Sequence, residues 1–151
     1  MRFPYQERPR NPSEAFPNVT SRSVPIIPVT LSSKGQSFTM DALVDSGADN
    51  CIFPGMLGVG LGIEVQRGPK QKIFGLGGRV IEAHFHHVKL KVGNAECDVY
   101  AGFTFDSIGI SGLLGQRGFF DHFRVIFDRS DNSVIINPRT ALQKFLTGLG
   151  L

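Results

Sequence analysis

Glycine and proline interrupt this chain more often than long helices tolerate, and this punctuation limits the folds open to it. The 151 residues include 18 Gly and 9 Pro, placed between short runs of Val, Ile and Phe. Glycine and proline favour turns, whereas β-branched and aromatic residues favour strands. We therefore expect an all-β chain of short strands and tight turns, with a single compact core.

Several segments alternate apolar and polar residues with the period of a strand. Residues 24–32 predict a first strand, and Lys34-Gly35 supplies a turn before a second strand at residues 37–44. These two strands form a hairpin that ends at Asp45. Further strands are predicted at residues 71–74, 79–92, 94–103, 124–127 and 134–136.

Little of the sequence favours helix. Residues 55–58 are rich in glycine, so we expect a loop there, whereas residues 119–123 predict one short helix after Gly115. Three regions follow along the chain. Residues 1–22 form a flexible Pro-rich arm, residues 23–138 form the folded domain, and residues 139–151 form a tail with a helix at residues 140–146.

Composition narrows the classes of partner. The formal charge is +3, but the basic residues form no dense patch, which argues against a nucleic-acid partner. No apolar run approaches the roughly 18 residues of a membrane span, so no membrane partner is expected. Two cysteines and an N-terminus without an apolar leader favour a reducing cytoplasm.

Asp45 carries the strongest chemical signal. It opens an Asp-Ser-Gly triplet directly after the apolar run Ala42-Leu43-Val44, so it stands at the end of a strand that we expect to be buried. The triplet alone also suits an ordinary turn. An unpaired carboxylate beside a core is costly, however, and an acidic residue there usually has a specific role.

Three motifs, in order, resemble those of the retroviral-type, or retropepsin-like, aspartic proteases. They are Asp45-Ser46-Gly47-Ala48-Asp49-Asn50, the glycine-rich Gly75-Leu76-Gly77-Gly78, and Leu113-Leu114-Gly115. Each motif alone is common, but the ordered set is more specific, and the resemblance covers roughly residues 24–136. Gln116 and Arg117 follow the last motif, where family members often place Arg or Asp first.

The resemblance implies a closed-barrel subunit with a flap hairpin and one or two short helices. It also implies Asp45 as the catalytic carboxylate, with Ser46 and Gly47 supporting the site. No cofactor or metal is implied. The substrate-binding residues implied are Ala48, Asp49, Gly75, Leu76, Gly77, Gly78, Ile110 and Leu113. The apolar members of this set predict hydrophobic side chains beside the scissile bond.

Carboxylate chemistry explains why one copy is insufficient. One carboxylate takes a proton from the attacking water while a second donates to the peptide carbonyl, and a pair about 3 Å apart shares one proton. Asp45 stands in the only Asp-Thr/Ser-Gly triplet of the sequence. We therefore expect a homodimer in which a two-fold axis pairs the two Asp45 residues, acting as an endopeptidase on an extended peptide or protein.

Other interpretations remain open. His84, His86 and His87 allow a metal site, since His84 and His86 share one face of a strand, but no nearby Cys and no third ligand stands on that face. Cys51 and Cys97 allow a thiol nucleophile or redox pair, although neither stands in an activating motif. The glycine-rich motif lacks the Lys-Ser/Thr of a phosphate loop. The main alternative is a dimerisation or peptide-binding module of the same fold with weak or no catalysis.

Overall fold

The computed structural model describes residues 1–140 and 148–150, and its regular structure is mostly strand. The predicted all-β fold class is confirmed. The α-helix α1 spans Gly55–Gly60, and short 3-10 turns span Val65–Arg67 and Leu76–Gly78. The strands are β1 Arg2–Pro4, β2 Gln6–Pro9, β3 Ser21–Val24, β4 Ile26–Ser33, β5 Gln36–Val44, β6 Ile52–Pro54, β7 Lys70–Phe74, β8 Val80–Val92, β9 Ala95–Thr104, β10 Leu113–Leu114, β11 Phe123–Asp128 and β12 Ser133–Pro138.

Seven strands form the main sheet, in the order β4-β5-β10-β6-β9-β8-β7. Most neighbours are antiparallel, but the short β10 runs parallel to β5, and β6 runs parallel to β9. β4 also pairs with β8, so two distant parts of the sheet meet. The predicted closure into a barrel stays a prediction.

The core is built by period-2 alternation, as the sequence predicted. In β4, Ile27, Val29 and Leu31 are buried, while the residues between them face outward or are half-buried. The largest fully buried side chains of the same cluster are four phenylalanines. Burial of each large aromatic side chain removes much apolar surface from water. They are Phe53, Phe103, Phe119 and Phe123.

The N-terminal segment contains secondary structure that its composition did not predict. β1 pairs with β12, and β2 pairs with β3, so residues 2–4 and 6–9 are extended and paired with other strands, whereas residues 10–20 lie outside any strand. Phe3 and Tyr5 pack against the core. The composition of a segment indicates how much apolar surface it can bury. It does not indicate the backbone hydrogen bonds that the segment gains by pairing with a distant strand. The flexibility and the boundary of this arm stay predictions.

Two helix predictions are wrong, and close packing of glycine explains the first. α1 occupies the segment expected to be a loop. Glycine lets this helix pack closely against its neighbours, because a side chain at Gly55 would meet the Phe105 ring at 2.7 Å and one at Gly58 would meet Val65 at 2.6 Å. The residues after Gly115 form turns instead of a helix, since Gly118 has a φ of +99°. The predicted helix at residues 140–146 lies outside the described residues, apart from Thr140.

Candidate active site

Asp45 follows the last residue of β5 and is half-buried. Its backbone N–H donates to the Leu114 carbonyl oxygen at 3.0 Å, which extends the parallel pairing of β5 with β10 by one residue. Leu114 itself is fully buried. The carboxylate is therefore mounted on a strand whose neighbour is anchored in the core, as the run Ala42-Leu43-Val44 predicted.

The backbone beyond Asp45 turns back onto its carboxylate. The Gly47 N–H donates to Asp45 Oδ1 at 2.9 Å, and the Ala48 N–H donates to the Asp45 carbonyl at 3.2 Å. A Cβ on Gly47 would lie 3.2 Å from Asp45 Oδ1, so glycine permits this approach. One carboxylate oxygen is thus held in place, and within residues 1–140 and 148–150 no group donates to Oδ2.

The segment after β10 supports the Asp45 loop from the other side. The Gln116 N–H donates to the Ala48 carbonyl at 2.8 Å, and its side-chain amide donates to the Ser46 carbonyl at 2.7 Å. The Arg117 N–H donates to the Asp49 carbonyl at 2.9 Å. Sequence reasoning gave Gln116 no role. Its position directly after the Leu-Leu-Gly motif was the only available signal.

Cys51 lies beneath this junction and is fully buried. Its Sγ accepts a hydrogen bond from the Gly115 N–H at 3.4 Å and donates to the Arg117 carbonyl at 3.5 Å. Burial raises the pKa of the Cys51 thiol to about 12. The thiol therefore stays protonated near neutral pH, which argues against Cys51 as a nucleophile.

A cleft of about 840 Å³ separates the Asp45 loop from β7. Its lining includes seven of the site residues that the sequence predicted, namely Asp45, Gly47, Ala48, Asp49, Gly75, Leu76 and Leu113. Its other lining residues were not predicted and are Asn50, Ile52, Gln71, Lys72, Ile73 and Phe74. β7 runs along the whole cleft, because every residue from 71 to 76 lines it.

Four predicted site residues do not line this cleft. Ser46 is exposed, and Gly77 and Gly78 lie beyond Leu76 at the end of the β7–β8 hairpin. Ile110 lines a separate cavity of about 420 Å³ together with Pro54. The chain therefore brings Asp45 and Leu76 to one cleft but leaves Ile110 outside it.

The β7–β8 hairpin projects beside the cleft. Phe74 pairs with Val80, and the Gly75 N–H donates to the Arg79 carbonyl at 2.8 Å. Gly77 and Gly78 both have positive φ, which permits the tight connection. Leu76 has a relative exposure of 102%, so its side chain packs on nothing in the described part of the chain.

The strand histidines serve the backbone. His84 Nδ1 lies 3.1 Å from the Gly68 carbonyl oxygen, and His86 Nε2 lies 2.8 Å from that of Val65. In the described ranges, no group of three or more His, Cys, Asp or Glu side chains is arranged to hold a metal ion. In the same ranges, no helix has the length and apolarity needed to cross a membrane.

Comparison with known proteins identifies the family. A model of the aspartyl protease family matches residues 27–117. The chain belongs to the aspartyl protease family. The matched span contains the Asp45 loop, the β7–β8 hairpin and β10, which are the three elements that meet at the cleft. The recognition made from the three sequence motifs is confirmed.

Two solved structures with TM-scores above 0.5 support the fold. A retropepsin-like aspartic protease from Rickettsia conorii is 14% identical, with a TM-score of 0.55 over 87% of this chain and 98% of its own. The retroviral protease-like domain of Ddi1 from Leishmania major is 18% identical, with a TM-score of 0.53 over 76% of this chain and 88% of its own. EIAV protease complexed with the inhibitor HBY-793 is 21% identical, covering 62% and 82%, with a TM-score of 0.46. No curated protein matches the chain.

Proposed function

We propose that this chain is an aspartic endopeptidase that hydrolyses peptide bonds with a water held between the Asp45 carboxylates of two identical subunits. The observation that carries the proposal is the placement of Asp45. Its carboxylate stands at the end of an anchored strand, has one oxygen fixed by the Gly47 N–H, and opens onto a cleft of about 840 Å³. Such a cleft accommodates several residues of an extended peptide.

The proposed chemistry needs one proton on the pair. The ionised Asp45 takes a proton from the water as the oxygen attacks the peptide carbonyl, and the protonated Asp45 of the partner donates to the carbonyl oxygen. The tetrahedral intermediate then collapses as the Asp45 that took the proton from the water passes it to the leaving amine, and the Asp45 of the partner takes back a proton from a hydroxyl of the intermediate. The Gly47 N–H holds the carboxylate in orientation throughout. Each step keeps the charge shared between the two carboxylates.

Features at the surface support a symmetric pair. Ser46 is exposed beside Asp45, and no hydrogen bond holds its hydroxyl in the described part of the chain, which leaves it free to brace an opposing loop. The hairpin exposes Phe74, Leu76 and Val80, an apolar set at its tip. An isologous interface would bring both features against their own copies.

The substrate is proposed to be an extended peptide with hydrophobic side chains at the scissile bond. β7 is an edge strand of the main sheet and lines the cleft along its length, so a peptide in β conformation has a backbone to pair with. Ile52, Ile73 and Leu113 supply apolar walls near Asp45. Neither Cys51 nor Cys97 forms a disulfide in the described part of the chain, which suits the cytoplasmic location that we propose with this function.

The test compares purified wild type with Asp45→Asn on a peptide library analysed by mass spectrometry. We expect kcat/KM to fall by at least about a thousandfold, because the amide neither takes up nor releases the required proton. Asp41→Asn is the matched control, since Asp41 lies on the same strand and contacts Arg8 at 3.5 Å on the surface. Equal turnover by wild type and Asp45→Asn would contradict the proposal. Peptide binding without turnover by wild type would favour the peptide-binding module instead.

A further inference from the structure

The outer part of the β7–β8 hairpin has little sheet to hold it. β8 pairs with β9 from His84, which lies opposite Phe103, to the end of the strand. Beyond His84, residues 80–83 pair only with β7. Two-stranded hairpins are marginally stable by themselves, so the position of this segment over the cleft needs another source of order.

Two side chains after the end of the β8–β9 pairing supply that order. The Glu82 N–H donates to Asp106 Oδ2 at 2.9 Å, and Thr104 Oγ1 donates to the Glu82 carbonyl oxygen at 2.7 Å. The Asp106 N–H in turn donates to Thr104 Oγ1 at 3.1 Å. Side chains thus replace the ladder bonds that β9 would have made had it continued. We name Thr104 and Asp106 the hairpin clamp.

The hairpin clamp hydrogen-bonds the Glu82 backbone, and the Glu82 side chain makes other contacts. The Glu82 carboxylate lies 3.6 Å from Lys70 Nζ and 3.6 Å from His84 Nε2. Thr104 has only 2% relative exposure, so its hydroxyl is shielded from water and its hydrogen bonds are not easily exchanged for bonds to solvent. The Arg79 guanidinium adds a bond to the Ser107 carbonyl nearer the hairpin tip.

Apolar contacts alone would not fix the hairpin at one angle. Ile73 and Ile81 face each other across the hairpin and pack against the small cluster of Ile52, Ala83 and Phe85. Such contact is non-directional and tolerates sliding. The two bonds at Glu82 are directional, and Glu82 lies opposite Lys72, a residue that lines the cleft. The clamp therefore sets the distance between β7 and the Asp45 loop.

We propose that Thr104 and Asp106 are positioning residues that fix the β7–β8 hairpin over the Asp45 cleft. They touch no substrate and act through the Glu82 backbone. The effect on catalysis rests on the proposed protease function, whereas the effect on the hairpin does not. A loosened hairpin lets β7 leave the position in which an extended peptide pairs with it, so the clamp governs substrate binding more than the chemical step.

The direct test is amide hydrogen exchange of the whole chain, followed by NMR. In Asp106→Ala, we expect the Glu82 amide to exchange at least about tenfold faster than in wild type, because its acceptor is gone. Asp106→Asn keeps an oxygen acceptor and should stay within about threefold of wild type. Glu82→Gln keeps the gripped backbone and should also leave this amide protected. Amides of β4 report whether each variant is folded.

Thr104→Val and Thr104→Ser form a second pair, in which only the serine keeps the hydroxyl. The clamp is overturned if the Glu82 amide exchanges at the wild-type rate in Asp106→Ala, or if alanine and asparagine accelerate it equally.

Kinetics test the positioning role. We expect Asp106→Ala to raise KM at least about fivefold with kcat within twofold of wild type, and Asp106→Asn to restore KM. Faster exchange with unchanged KM would overturn positioning, whereas an inactive wild type with an exchange difference would overturn only the protease function.

Discussion

Gly115 touches the backbone of the Asp45 loop, and the contact leaves no space for a side chain. A Cβ there would lie 2.7 Å from the Ala48 carbonyl oxygen, which is well inside van der Waals contact. We expect Gly115→Ala to destabilise the fold by roughly 1–3 kcal/mol and to lower kcat/KM, since the loop must shift. Urea unfolding and peptide kinetics measure the two effects.

Gly148→Ala is the control for this substitution, because a Cβ at Gly148 meets nothing within 4 Å. It should leave stability and activity near those of wild type. A fully stable and fully active Gly115→Ala would mean that the Asp45 loop does not depend on the close approach at this position.

The Cys51 thiol should make the free energy of unfolding fall as the pH rises above 9. Burial raises the pKa of its thiol from 9.0 to about 12 in the folded chain. Its contribution to stability is fully present below pH 9. Above that value, the unfolded chain releases the proton and the folded chain does not, so the contribution is lost as the pH rises toward 12. The slope is up to about 1.4 kcal/mol per pH unit.

Urea unfolding between pH 8 and pH 11 measures this slope. The free energy of unfolding should fall more steeply with pH in wild type than in Cys51→Ala, which has no thiol at this position. Identical slopes in wild type and Cys51→Ala would show that this thiol is not the source of the dependence.

The site shows what sequence reports about single residues and what it does not. Asp45 was predicted from its immediate neighbours. A carboxylate directly after an apolar strand costs free energy to bury, so its presence there indicates a specific role. Gln116 was not predicted, because its bond to Ser46 joins residues that are far apart in sequence. Ile110 was grouped with the substrate-binding residues through the resemblance, yet it lines another cavity of this chain.

Among the elements, the β7–β8 hairpin exposes an apolar residue, Leu76, at its tip. Leu76 packs on nothing described, so Leu76→Ala should change the free energy of unfolding by less than about 0.5 kcal/mol. In the proposed dimer the same substitution should lower kcat/KM about tenfold, because apolar contact at the closed tip is lost. Denaturant titration and peptide kinetics separate the two quantities.

Val59→Ala provides the comparison for Leu76, since Val59 is also an exposed apolar residue, at 49% relative exposure, but lies on α1. It should affect neither quantity strongly. If Leu76→Ala retained full kcat/KM, the hairpin tip would have no part in closing over substrate.

Strands were easier to predict than helices in this chain, for a physical reason. Alternation in β4 follows from having one buried face, and it can be read residue by residue. α1 is different, because Gly55 and Gly58 disfavour helix and are tolerated only where Phe105 and Val65 pack directly against them. β1 was missed similarly, since its partner β12 comes from the opposite end of the chain.

For the whole molecule, activity should depend on assembly. A single chain supplies one Asp45, so the proposed acid–base pair exists only in a dimer, and specific activity should fall on dilution below the dimer dissociation constant. Sedimentation measured beside kinetics over the same concentrations tests this. A monomer with full activity would contradict it.

Mixed dimers give a sharper version of the same test. A dimer with one wild-type and one Asp45→Asn subunit should lose nearly all turnover, because each peptide bond needs both carboxylates. Folding and pairing should survive, since the substitution is close to isosteric. Retention of half the wild-type turnover would instead mean that each subunit works alone.

The parallel pairing of β5 with β10 joins Leu43 to Leu113 and Val44 to Leu114 across most of the folded domain. Hairpins such as β4–β5 and β8–β9 form between strands that are neighbours in the sequence. The hydrogen bonds that support the Asp45 loop come instead from residues 114–117. Contacts of such long sequence separation carry the larger loop-closure cost and form late. During synthesis, Asp45 is therefore made before residues 114–117, and until they are added its loop lacks these hydrogen bonds. In the proposed protease, a chain that lacks residues 114–117 is therefore inactive, which spares the nascent chain and its neighbours from cleavage until this contact forms.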